Sequence, residues 1–202
     1  MSKEICIAWY DLTLIKRSIL SAKTDVILNS VNGFGNFGTI TAVMGPSGSG
    51  LTSLLVALNG LNDSINLYLD QKSKILTNKS VKIKSVFINK NSKFFLTMNL
   101  TVEQNLLYSS KLKNSYSKNN FDHKFNIEKV MNDLMIIEVS NTMTEKCSGG
   151  ELKRLAIGME LTAFEKPNLL LIDEPTTGLD THIASQVFII YPLYHIFFIH
   201  FS

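Results

Sequence analysis

Cysteine is nearly absent from this chain. Cys6 and Cys147 are the only two, which leaves no disulfide framework and no paired metal-ligand spacing, and a reduced setting follows. The chain also lacks an uncharged apolar run of roughly 20 residues, the length a helix needs to cross a bilayer. Its start, MSKEICIAWYDLT, carries acidic residues and no long apolar core, unlike a secretory leader. Charge of either sign is sparse. A formal net charge of +3 over 202 residues does not define a nucleic-acid surface, and Asn/Ser/Lys stretches such as 111–129 read as solvated loop. No internal repeat is visible. What is there is 45% hydrophobic and 18% charged, enough for one domain with a sizeable core.

The pattern along the chain mixes α and β. Residues 5–15 alternate well enough for two short strands, and 26–31 supplies another before the turn NGFGNFG, an antiparallel lead-in. The run 39–44 is continuously apolar, as a strand buried on both faces would be, and it ends at Gly45. A helix follows over 51–61, with Leu54, Leu55 and Leu58 on one stripe. Short strands are expected near 65–69 and 85–88, and helices near 102–112 and 127–137, the first of them opened by a Thr101/Gln104 capping box. A last apolar strand, 169–172, runs into Asp173 and Glu174, and the turn-rich PTTGLD precedes a short helix from Thr181.

Three blocks carry chemistry. In the first, Gly45, Pro46, Ser47, Gly48, Ser49, Gly50, Leu51, Thr52 and Ser53 lie between strand and helix. Its glycines let backbone N–H groups curl round an anionic phosphate, and the helix N-terminus adds partial positive charge. In the second, KCSGGELKRLAIGMEL, Ser148, Gly149, Gly150 and Glu151 form a capping box whose free N–H groups also suit an anion. There Cys147 reads as a small buried hydrophobe, and Lys153 and Arg154 as solvated or partner-facing. The third, NLLLIDEPTTGLD, puts two adjacent carboxylates after a buried strand.

In order and wording these blocks resemble the ATPase domain of ATP-binding cassette (ABC) transporters, and the last two resemble the G subfamily, the White-type and multidrug half-transporters. The resemblance implies an α/β fold of the P-loop NTPase class, an ABC-type ATPase domain over 1–186, with a helical subdomain over roughly 95–165 that carries the signature. It implies ATP and Mg²⁺ as ligands, the metal held by Thr52 and Asp173, with Glu174 as the general base that polarises the attacking water. Ser148 to Glu151 would face the γ-phosphate held by another subunit, and Asp180 would communicate across the dimer. The family role is ATP hydrolysis coupled to export of a lipophilic substrate at the cytoplasmic face of a membrane. The implied partners are a transmembrane domain missing from this chain and a second nucleotide-binding domain, in a homodimer or, given the damaged loop, a heterodimer. No nucleic acid is implied.

The chain departs from that pattern in three places. Leu51 stands at the lysine position of G-x-x-x-x-G-K-[ST]. The charge-assisted contact so lost is worth on the order of 1.5–3 kcal/mol in binding, and the same cation would meet charge developing in the transition state. Asn89 and Lys90 occupy the neighbourhood of the Q-loop glutamine, and no glutamine follows before Gln104. The switch histidine normally follows a further helix and strand, for which the chain ends too soon, so His200 mimics its context only superficially. The apolar tail 187–202, roughly 15 residues against the 17–25 of a bilayer span, reads as a truncated core strand, a membrane-surface segment or a spurious end. The expectation is a domain truncated after the D-loop, with negligible ATP hydrolysis of its own. The alternatives are a non-hydrolysing regulatory cassette and a non-functional fragment.

Overall fold

A computed structural model of the chain describes residues 4–17, 24–60, 67–116, 121–174 and 196–201. The chain divides into two compact units, one of Met1–Phe87, Asn168–Glu174 and His195–Ser202, the other of Ile88–Pro167 and Pro175–Tyr194.

In the first unit the expected pair of short strands is one long strand, β1 (Ile5–Arg17), antiparallel to β2 (Thr24–Asn36). It is bent rather than broken. Asp11 (φ 48°) and Ser30 (φ 50°) take left-handed conformations where the register shifts. There Ser30 Oγ donates to Asp11 Oδ1 at 2.9 Å and the Asp11 N–H to Asn32 Oδ1 at 2.9 Å, so short polar side chains satisfy groups that the bulge takes out of the ladder. Strand β4 (Leu67–Leu69) and strand β5 (Lys74–Thr77) both pair antiparallel with β1 and complete the lead-in sheet.

The second sheet of this unit runs in the order β3 (Thr39–Met44), β8 (Ile196–Phe201), β7 (Leu169–Asp173), β6 (Ser85–Ile88). Strand β8 is parallel to both its neighbours, pairing Val43 with His200 on one side and Asp173 with His200 on the other. Residues 196–201 of the apolar tail therefore form a strand, between β3 and β7. Helix α1 (Leu51–Leu58) is shorter than 51–61, because Gly60 (φ 97°) turns back and donates its N–H to the Ala57 carbonyl. Its Leu54, Leu55 and Leu58 are buried in one cluster with Trp9, Leu12 and Leu14 of β1 and Leu169 and Leu171 of β7. This packing fixes the start of α1 and the end of β7, which is where the site lies.

The second unit holds α2 (Val102–Lys113), α3 (His123–Asp133) and α4 (Gly149–Leu161). The Thr101/Gln104 capping box forms as expected. Much of 111–129, read as solvated loop, is helix instead: α3 opens where the Asp122 carboxylate caps the Phe125 N–H at 3.0 Å. The same helix stops before 137. Met135 sits in the left-handed region (φ 53°), its N–H bonds to the Asn132 carbonyl, and the Ile136 N–H reaches back to the Met131 carbonyl, a Schellman ending. Gly158 lets α4 approach its neighbours: a Cβ there would lie 3.0 Å from Leu134, 3.1 Å from Leu106 and 3.2 Å from Val130. Among the described residues no helix is long and apolar enough to cross a membrane.

Candidate functional site

The glycine loop in the first unit has the geometry of an anion cradle. Gly48 (φ 84°) and Gly50 (φ 89°) adopt conformations that a side chain resists, and Gly50 is the N-cap of α1. The Ser49 N–H bonds back to the Pro46 carbonyl at 3.1 Å, closing the turn, and the first intrahelical bond runs from Leu54 N–H to Gly50 C=O at 2.8 Å. The N–H groups of Leu51, Thr52 and Ser53 therefore have no acceptor within the helix and lie at its positive end. Gly45 keeps the loop tight, since a Cβ there would come within 2.9 Å of Ser49 Oγ and 3.3 Å of Leu51 Cδ1. The half-buried Leu51 side chain is thus folded against the loop, and it has no charge to offer a phosphate.

Thr52 and Asp173 come together although 121 residues separate them. Thr52 Oγ1 donates to Asp173 Oδ2 at 3.0 Å, and Asp173 is fully buried at the end of β7. One hydroxyl and one carboxylate beside a row of free N–H groups is a donor set of hard oxygens, which fits Mg²⁺ bound jointly with phosphate oxygens and water. Protein ligands alone would not suffice: among the described residues no three His, Cys, Asp or Glu side chains gather into a metal site. Glu174, half-buried and directly after β7, is held at φ 49°, a strained conformation for a residue with a side chain. Asp180 lies outside the described residues.

The signature block lies in the second unit. Ser148 caps α4 in a closed box, with Ser148 Oγ accepting from the Glu151 N–H at 3.3 Å and Glu151 Oε2 accepting from the Ser148 N–H at 2.7 Å. Gly149 is exposed, and a Cβ added to it would meet nothing within 4 Å, whereas Gly150 is buried. The open space over Gly149 leaves the helix N-terminus accessible. Cys147 is half-buried rather than fully so. Burial, and then the Glu151 carboxylate beside it, push its thiol pKa up, so little thiolate forms.

Lys153 and Arg154 correct the sequence reading. They are 2% and 6% exposed, not solvated, because α4 is buried on nearly every face from Leu152 to Gly158. Lys153 Nζ donates to the Asn89 carbonyl at 3.1 Å, so the Asn89 segment, which holds no glutamine, is tethered to the signature helix through its backbone. No composition rule signals that bond. A lysine four residues from an exposed glycine normally marks a surface, and here it marks an interior hydrogen bond.

Comparison with known proteins fits this arrangement. The ABC transporter family model matches residues 28–177. The chain is 34% identical over 194 residues to ABC transporter G family member 13 of Arabidopsis thaliana, covering 91% of this chain and 27% of that protein. It is 32% identical over 166 residues to ABC transporter G family member STR2 of Petunia hybrida, covering 80% and 22%. This chain thus spans about a quarter of those relatives. Among solved structures it resembles cbiO1 of Clostridium perfringens, part of the ABC transporter complex cbiONQ, with a TM-score of 0.73 and 19% identity over 98% of this chain and 78% of that one. That likeness shows the fold.

Proposed function

This chain belongs to the ABC transporter family and carries its nucleotide-binding domain, and from that premise we propose that its own phosphate loop binds Mg-ATP weakly and turns it over negligibly. The observation that carries the reading is the hydrogen bond from Thr52 to the buried Asp173 at the open end of α1. The loop N–H groups meet phosphate oxygens, Thr52 and Asp173 hold the metal, and Glu174 orients water. Thr52 and Asp173 would hold the metal, which would supply positive charge against the phosphates. Leu51 leaves the β- and γ-phosphates without an ammonium, which weakens binding by roughly 10- to 150-fold and removes charge stabilisation from the transition state.

In the full assembly the domain works with a transmembrane domain and a second nucleotide-binding domain, at the cytoplasmic face of a membrane, in export of a lipophilic substrate. The intact Ser148 to Glu151 block beside a loop without lysine favours a heterodimer in which the partner supplies the complete loop. Titration of the chain with a fluorescent ATP analogue, with and without Mg²⁺, tests the reading. Leu51→Lys is expected to tighten Mg-dependent binding more than it raises turnover, because Asn89 and Lys90 still stand where the Q-loop glutamine would act on the chemistry. ATP turnover by the unaltered chain at an ordinary ABC rate, dependent on Glu174, overturns it.

A further inference from the structure

The residues ahead of the signature are held by the start of α2. The first turn of that helix has N–H groups with no acceptor inside it, and two of them find carbonyls upstream of Ser148. Val102 N–H bonds to Thr142 at 3.1 Å and Glu103 N–H to Ser140 at 3.0 Å. Thr101 and Met143 face each other in a single antiparallel bridge. Thr144 N–H reaches the Leu100 carbonyl at 2.9 Å, and Thr144 Oγ1 donates to the same oxygen at 2.7 Å. One tight turn, Thr144–Lys146, then leads to Cys147 and the cap Ser148.

Asn105 closes this junction. It is 2% exposed and stands one turn into α2, where asparagine is a poor helix former, and most of its side-chain bonds go to partners outside the helix. Oδ1 accepts from Thr97 N–H at 3.1 Å, while Nδ2 donates to the Thr97 carbonyl at 3.0 Å, to Thr144 Oγ1 at 2.9 Å and to the Thr101 carbonyl at 3.2 Å. Thr144 is itself fully buried. A single amide therefore fixes segment 97–101 and the approach to the signature against each other.

We propose that Asn105 is a positioning residue for the signature: through Thr144 it sets where Ser148 and the N–H groups of Gly149 to Glu151 stand. The proposal rests on the reading that those groups meet a phosphate held by a partner domain. Asn114, at the other end of α2, is its matched comparison. It is 6% exposed, donates to the Ser110 and Thr162 carbonyls at 2.8 and 2.9 Å and accepts from Phe164 N–H at 2.7 Å. Those bonds lie at the end of α4 remote from Ser148.

The test is alkylation of the native full chain by iodoacetamide, with modification of Cys147 followed by mass spectrometry. Half-buried Cys147, whose N–H bonds to the Thr144 carbonyl at 3.2 Å, reports on the turn between Thr144 and Ser148. Cys6 stays silent, being fully buried with its thiol pushed up to about 12. Asn105→Ala is expected to speed Cys147 alkylation about tenfold, the factor that one lost buried hydrogen bond gives, and dilute urea should not change that rate because a local opening exposes little surface. Asn114→Ala is expected to lower the urea midpoint comparably yet leave Cys147 alone. Thr144→Val, which removes the hydroxyl and keeps the shape, should also speed Cys147, and Thr144→Ser should restore the slow rate; this pair decides the matter if Asn105→Ala does not fold. Hydrogen exchange at Glu151 N–H, bonded to Ser148 Oγ, should rise in step with alkylation. Three results overturn the proposal: an unchanged Cys147 rate, equal acceleration in Asn114→Ala, or unchanged exchange at Glu151. No nucleotide enters these measurements, so failure here leaves the nucleotide reading standing.

Discussion

Replacing Thr52 by valine separates the metal-binding reading from a purely structural one. The side chain keeps its shape and loses the hydroxyl that donates to Asp173 Oδ2 at 3.0 Å. Asp173 is fully buried, so water does not readily replace the donor. A hydrogen bond to a charged acceptor contributes roughly 1.5–3 kcal/mol. With a urea slope of about 1–3 kcal/mol per molar, the midpoint of the variant should fall by about 1 M. Ligand binding gives the second readout. The unaltered chain should bind a fluorescent ATP analogue more tightly with Mg²⁺ than with EDTA, and Thr52→Val should lose that difference, while Thr52→Ser, which restores an oxygen, should recover most of it. If Thr52→Val costs stability but keeps the full Mg²⁺ dependence, Thr52 is only a strand-to-helix tie, and the metal assignment fails.

Gly158→Ala should destabilise the chain by about 1–3 kcal/mol in urea unfolding despite alanine's better helix propensity, because the new methyl meets Leu134 at 3.0 Å and Leu106 at 3.1 Å; unchanged or raised stability refutes the tight crossing. Burial first and Lys129 next lower the Lys166 pKa, partly opposed by Asp133. The folded pKa lies below the unfolded one, so the unfolded chain binds more protons and stability should rise as pH climbs between the two values. Lys166→Met should therefore flatten the alkaline gain in urea midpoint, and an unaltered slope between neutral pH and about pH 10 counts against the cause given. In a reconstituted heterodimer, Gly149→Asp should abolish turnover without loss of stability, since its side chain has open space and a carboxylate suits a helix N-terminus; Glu174→Gln should matter far less. Equal losses in the two variants would refute the asymmetric assignment.

Much of the site was legible because its residues are specified by local rules. Glycines that must take positive φ, a Ser/Glu capping box and an apolar strand ending in two carboxylates all announce themselves in a single sequence, and the fold brings Thr52 to Asp173 as those rules imply. The errors occur where the deciding contact is distant or the usual residue is replaced. The end of α3 was missed because Met135, not glycine, holds the left-handed position of its Schellman turn. Lys153 was misread because its acceptor, the Asn89 carbonyl, is backbone and 64 residues away. Strand β5 was not expected, as a four-residue run flanked by lysines and turn residues gives little period to read. For β8 the composition was right and the chain position misled: an apolar run near the end of a sequence reads as a tail until its parallel partners are known.

On the proposed reading, the replacement at Leu51 would weigh unequally on binding and on chemistry, for a physical reason. Loop N–H groups and the α1 terminus would contact phosphate oxygens in ground state and transition state alike, and such uniform binding would hold a nucleotide without speeding its cleavage. The missing ammonium is the part whose contact would strengthen as charge shifts toward the leaving phosphate, so its loss falls mainly on turnover. On the proposed reading, Thr52 with Asp173 would still serve occupancy. Occupancy alone can couple two domains, since a bound nucleotide bridges the loop of one and the signature of the other without being consumed. Ser148 to Glu151, with Gly149 open to approach, retains what that bridge asks of this chain's signature, whatever becomes of its loop.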